Sequence, residues 1–202
     1  MFGVCLTTGS ISMISGKRFS YWWLSIALST LAGEPAALSP QEVLDFSGES
    51  RSLRYQEEKH LRILEQPLTS SGLLHFEPPD TLVREIDGWR GTIYRIEGNQ
   101  VSISEGGRIL RQIDLQAIPE LAGFASILRA LLTADTETLE KQYALTLTGT
   151  VESWILHLSP RKEPLSRIVE RVSIEGGNGR LQMVEILESG GNRSRMLLKP
   201  DE

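Results

Sequence analysis

The chain has 202 residues, 40% of them hydrophobic and 23% charged, an ordinary globular composition long enough to bury one sizeable core. Its formal net charge of -5, with no clustered Lys and Arg, argues against a nucleic-acid partner, whose phosphates demand a basic surface. The single cysteine, Cys5, leaves neither a disulfide framework nor a cysteine-rich metal site.

Lys17 and Arg18 precede a short apolar run, residues 19–32, that ends in small residues. A positive region, a short apolar core and a small-x-small ending (Thr30-Leu31-Ala32) predict a signal peptide over residues 1–32, cleaved after Ala32, or alternatively after Ala37. A spanning helix needs about 20 apolar residues, and this run is shorter and carries Ser20, Ser25, Ser29 and Thr30. Met13 is an alternative start. Cleavage removes Lys17 and Arg18 and no acid, so the exported chain, residues 33–202, carries 19 - 26 = -7. That charge suits a soluble protein rather than one held on an anionic membrane.

Ser39-Pro40-Gln41-Glu42 places an N-cap serine before proline and an acid, and predicts a short helix to about residue 48. Residues 51–64 alternate, with Leu53, Tyr55, Leu61 and Ile63 on one parity and Arg54, Gln56, Glu58, His60 and Arg62 on the other. That pattern predicts one long strand with an apolar face. Pro78-Pro79-Asp80 makes a rigid corner between strands at 73–77 and 81–86. Glycine turns then separate strands at 91–97, 100–104 and 108–115, and later at 143–148, 151–158, 168–175, 180–188 and 193–198. Between the two sets, residues 117–132 carry apolar side chains at helical spacing, including Leu128 and Leu131, with Phe124 beside them. Asp135 caps a second short helix to residue 142.

About eleven strands interrupted by helices make an α+β, mainly β, fold: one antiparallel sheet with helices on one face. A sheet that wide curls, and if it does not close, its concave face needs a cover, for which helix 117–132 is the candidate.

The order Tyr55-Gln56-Glu57-Glu58-Lys59, Ser70-Ser71-Gly72, Phe76, Pro79-Asp80 and an apolar strand bearing Arg84 resembles the LolA family of outer-membrane lipoprotein carriers. Asn192-Arg193-Ser194-Arg195 resembles the family's last strand more loosely. The resemblance implies an unclosed half-barrel with a helical lid over an apolar cavity for acyl chains. It further implies a periplasmic, monomeric carrier without cofactor that shuttles lipoprotein or glycolipid acyl chains from an inner-membrane transporter or release complex to an outer-membrane acceptor. The implied lining is Leu53, Tyr55, Leu74, Phe76, Leu82, Tyr94, Phe124, Leu128, Leu131, Leu145 and Trp154. At Pro78 the sequence departs from the family, which carries there an arginine that latches the lid, and marks a divergent branch.

Residue by residue, these aromatics also suit a filled core. A filled core corresponds to a second reading, an envelope interaction module that docks a lipid or glycoconjugate export machine. For enzymes, no Gly-x-Ser-x-Gly elbow, His-Glu-x-x-His, P-loop or Rossmann glycine pattern is present. His60, His75 and His157 fall on the polar parity of predicted strands and read as solvent-facing, and Glu57 and Glu58 as a charged strand face. The sequence therefore calls for no catalytic residue and no metal.

Overall fold

In the computed structural model, residues 38–44, 51–88, 90–117, 122, 126, 130, 131 and 133–201 are described. The expected signal peptide, Phe124, Leu128 and most of helix 117–132 lie outside them. Helix α1 (Pro40–Leu44) opens with a reciprocal cap: the Ser39 N–H donates to Glu42 Oε2 at 2.9 Å and the Glu42 N–H donates to Ser39 Oγ at 3.3 Å. It buries Val43 and Leu44.

Eleven strands follow: β1 (Arg51–His60), β2 (Leu68–Glu77), β3 (Thr81–Ile86), β4 (Thr92–Glu97), β5 (Gln100–Glu105), β6 (Arg108–Asp114), β7 (Tyr143–Thr150), β8 (Ser153–Pro160), β9 (Val169–Gly177), β10 (Arg180–Glu188) and β11 (Arg193–Pro200). Helix α2 (Thr136–Gln142) precedes β7, with Asp135 Oδ1 accepting from the Thr138 N–H at 3.0 Å. The strands form one unclosed antiparallel sheet in the order β6-β5-β4-β3-β2-β1-β11-β10-β9-β8-β7. Two meanders are thus joined by the long-range pairing of β1 with β11, where Tyr55 faces Leu198 and Glu57 faces Met196.

The turns follow their residues. Asn178 and Gly179, both at positive φ, close the β9–β10 hairpin between the paired Gly177 and Arg180. The first strand is shorter than its sequence pattern. It ends at His60, and Leu61–Leu64 form a turn closed by the Leu64 N–H on the Leu61 carbonyl, which leaves Ile63 exposed rather than on the apolar face.

Topology also sets what covers the sheet. The chain leaves at edge strand β6 and re-enters at the opposite edge, β7, so residues 115–142 carry it from one side of the sheet to the other. Leu115, Ala130, Leu131 and Leu139 are buried along that connection. Ala130, Leu131 and Leu139 join Trp154, Leu156 and Leu158 of β8 and Val172 and Ile174 of β9 on the inner face, with Val43 and Leu44 of α1, whereas Leu115 borders a cavity. Along β8 these buried residues alternate with the more exposed Ser153, Ile155 and His157, the period of a strand with one covered face.

Candidate functional site

On the inner face the packed core is centred on β7–β9, with Leu181, Val184 and Ile186 of β10 packed against it and Val172 and Ile174 at its border with the cavity. Toward β2–β5 and β10–β11 the same face borders a cavity of about 480 Å³. Its walls follow the register across the sheet. One row runs Ile174, Val184, Met196, Glu57; another runs Leu74, Arg84, Tyr94, Ile103; a third runs Leu82, Ile96, with Val101 opposite Ile96 and Ile113 opposite Val101. Leu44 and Leu131 close it from the helical side. β-Branched and leucine side chains standing out of the pleat present a nearly continuous apolar surface, of a size typical of small-molecule sites.

Two charges interrupt that surface. On β1 the apolar parity runs Leu53, Tyr55, Glu57, and on β3 it runs Leu82, Arg84, Ile86, so each strand aims one charged side chain inward. Gly72, opposite Tyr55, leaves the inner face of β2 bare between Ser70 and Leu74. The Arg84 guanidinium lies over the Tyr55 ring, 4.7 Å from its centroid, and Nε donates to Tyr55 Oη at 3.1 Å. Its Nη2 donates to Glu57 Oε2 and, at 3.1 Å, to Ser70 Oγ. Glu57 also accepts from Ser70 Oγ at 3.2 Å and from Ser194 Oγ of β11.

These contacts decide the ionisation of both groups. Burial acts to raise the Glu57 pKa, but the Ser194 hydroxyl, the Arg84 charge and the further donors outweigh it and hold the carboxyl below its usual range. For Arg84, burial acts to lower the pKa, while Tyr55 and Glu57 together more than compensate. The cluster is therefore an ion pair set in an apolar wall, with side chains only 28% and 15% exposed. Among the described residues the partners of Arg84 lie on β1 and β2, so the guanidinium ties strands of the sheet to one another.

Of the residues expected to line a cavity, Leu74, Leu82, Tyr94 and Leu131 border it, and Tyr94 remains 36% exposed. Five others do not. Tyr55 is buried beneath Arg84, Phe76 is buried opposite Leu82, and Leu53 lies half-buried beside Leu74. Leu145 and Trp154 belong to the filled β7–β9 half. The lining that sequence reasoning missed is Glu57, Arg84, Ser194, Leu44 of α1, Ile86, Leu115 and the aliphatic residues of β4–β6 and β9–β11. The two charges were detectable as breaks in period-two patterns, and Ser194 only through the loose likeness of the last strand.

The histidines stand apart from this site. His60 and His75 approach Glu58 and Glu77 at 2.6 and 3.5 Å, and His157 is hydrogen-bonded with Ser173 at 2.9 Å. Glu57 and Glu58, adjacent in sequence, point to opposite faces, so the single charged face expected of them is split. Among the described residues no group of three or more His, Cys, Asp and Glu side chains is placed to hold a metal ion.

No curated protein matches the chain. Solved structures with similar architecture include a LolA superfamily protein from Nitrosomonas europaea, 9% identical, with a TM-score of 0.40 over 79% of this chain and 88% of that one. The MucA/MucB complex of Pseudomonas aeruginosa is 13% identical with a TM-score of 0.36, over 78% of this chain and only 53% of its counterpart. The Mycobacterium tuberculosis lipoprotein LppX is 12% identical with a TM-score of 0.36, over 79% and 90% of the two chains. In sequence, residues 32–200 match the family described as outer membrane lipoprotein carrier protein LolA-like. That match spans all eleven strands of the sheet, and the chain belongs to the LolA-like family.

Proposed function

We propose that the protein is a periplasmic carrier that holds the acyl chains of lipoproteins or glycolipids in the inner-face cavity and passes them between inner and outer membrane. The observation that carries this reading is the apolar void of about 480 Å³ walled by β2–β5 and β9–β11. A solid-cored interaction module has no use for such a void. Each methylene transferred from water contributes about 0.8 kcal/mol, so one acyl chain supplies roughly 10 kcal/mol before ordering costs. Binding of that kind needs no covalent chemistry and no cofactor. The contacts fall to Leu74, Leu82, Tyr94 and Leu131 together with the aliphatic residues of β4, β5, β10 and β11. Delivery further requires an inner-membrane donor complex and an outer-membrane acceptor. Native mass spectrometry of protein recovered from the periplasm is expected to show co-purified lipid or lipoprotein. A protein that is empty there, and that takes up no fluorescent fatty-acyl probe in solution, overturns the proposal.

A further inference from the structure

An acyl carrier needs only apolar walls, yet this cavity contains a charged pair at a cost in desolvation. The pair is internally complete as to charge. Glu57 takes up the positive charge of Arg84, and Ser70 and Ser194 occupy further acceptor sites of the carboxylate. It is not complete as to hydrogen bonds. Arg84 Nε and Nη2 have partners, whereas Nη1 has none among the described residues.

A guanidinium offers its donors in a fixed planar fork, so the free Nη1 edge has a defined direction. An acceptor reaching it from the cavity meets a donor whose charge is already neutralised. A neutral carbonyl takes that hydrogen bond without bringing charge into the apolar wall. An ionised carboxylate or phosphate at the same place sets a second anion beside Glu57, with no other cation among the described residues that line the cavity to balance it.

Resting on the carrier reading, we propose that the Arg84–Glu57 pair is a headgroup filter: it accepts acyl chains whose first polar group is a neutral ester or amide carbonyl and rejects free fatty acids. The shared chemistry is the carbonyl of an acyl linkage, whether it comes from an acylated protein or from a glycolipid. Tyr55 holds the guanidinium in plane from below, and Ser70 and Ser194 hold the carboxylate. Headgroup preference is thus set by Glu57, which cancels the charge that otherwise attracts anions.

The test compares three probes of one chain length, dodecanoate, methyl dodecanoate and N-methyldodecanamide, each below its aggregation threshold, as competitors for a bound fluorescent acyl ester. The wild type is expected to bind ester and amide at least about tenfold more tightly than the carboxylate, the span of one charge-assisted interaction. In Glu57→Gln, which keeps shape and polar contacts but frees the Arg84 charge, dodecanoate is expected to gain about tenfold while the amide is nearly unchanged. A merely structural role for the pair moves all three probes together. Equal or carboxylate-favouring affinities in the wild type overturn the filter and leave the carrier standing. A correctly folded Glu57→Gln with unchanged preference also overturns it. If Glu57→Gln does not fold, the wild-type ratio measured with a glycerol diester and the matching phosphatidic acid decides: no discrimination against the phosphate overturns the filter. Failure of every probe to bind overturns the carrier reading itself.

Discussion

Replacing Arg84 with methionine removes one partner of the buried pair and keeps the bulk of its stem. Glu57 then loses a charge-assisted hydrogen bond worth about 1.5–3 kcal/mol. Tyr55 loses the overlying guanidinium, worth about 0.5–1 kcal/mol. The side chains are 28% and 15% exposed, so solvent screens little of this, and the two Ser donors keep the carboxylate from being wholly unpaired. The expected loss is about 2–4 kcal/mol at neutral pH, the sum of those two terms and in line with breaking a buried pair. The pH dependence makes the reasoning specific. In the wild type the Glu57 pKa is depressed by folding, so its contribution is present above the ordinary Glu value of 4.5 and is lost as pH falls through the lower folded value. In Arg84→Met the lowering influence of Arg84 is gone while burial still acts to raise the pKa, so the variant protonates earlier as pH falls. The deficit is therefore largest at neutral pH and narrows below 4.5. Urea unfolding at neutral pH and at about pH 4 measures both quantities through the midpoint and slope. A deficit that is the same at both pH values refutes the account. The double variant Glu57→Gln/Arg84→Met, which removes both charges, is expected to recover most of the loss.

A Cβ added at Gly176 would lie 2.3 Å from Trp154 Cζ2 and 2.5 Å from the Arg180 carbonyl oxygen, and Trp154 is buried in the packed half of the sheet. Gly176→Ala is thus expected to cost about 1–3 kcal/mol by overpacking, read as a lower Tm, and an unchanged Tm contradicts that packing. Among the described residues Tyr143 buries its hydroxyl without a hydrogen-bond partner, and burial pushes its pKa far above the ordinary tyrosine value. Tyr143→Phe is expected to match or exceed the wild type in stability, by up to about 2 kcal/mol in urea melts, because no hydrogen bond is lost. Leu131→Glu places a charge where the helical cover meets the cavity. It is expected to keep the far-UV signature of the sheet, expose apolar surface to ANS and lose retention of an acyl probe; cooperative unfolding of the whole domain instead marks Leu131 as ordinary core.

Strand number, hairpin turns and helix caps were all legible in the chain because each rests on local chemistry. Asn178-Gly179 closes a tight turn by tolerating positive φ, Ser39 and Asp135 satisfy the first N–H groups of their helices, and alternation along β8 marks a covered face. Alternation says that a face is covered, not by what. Trp154 and Leu145 carry the same pattern as Leu74 and Leu82, yet the first pair packs in the filled half and the second borders the void. An acyl chain and a leucine present the same surface to a strand, so only tertiary packing, with Ala130, Leu131 and Leu139 set against β8 and β9, separates core from cavity. Pairing β1 with β11, the most distant strands in sequence, likewise depends on the two meanders meeting edge to edge. It brings Ser194 to Glu57, and the β1–β2–β3 register brings Arg84 to the same carboxylate. A lone Glu or Arg on an apolar parity reads as an irregularity in the sequence; the tertiary structure makes it a pair, because each charge offsets part of the other's desolvation cost.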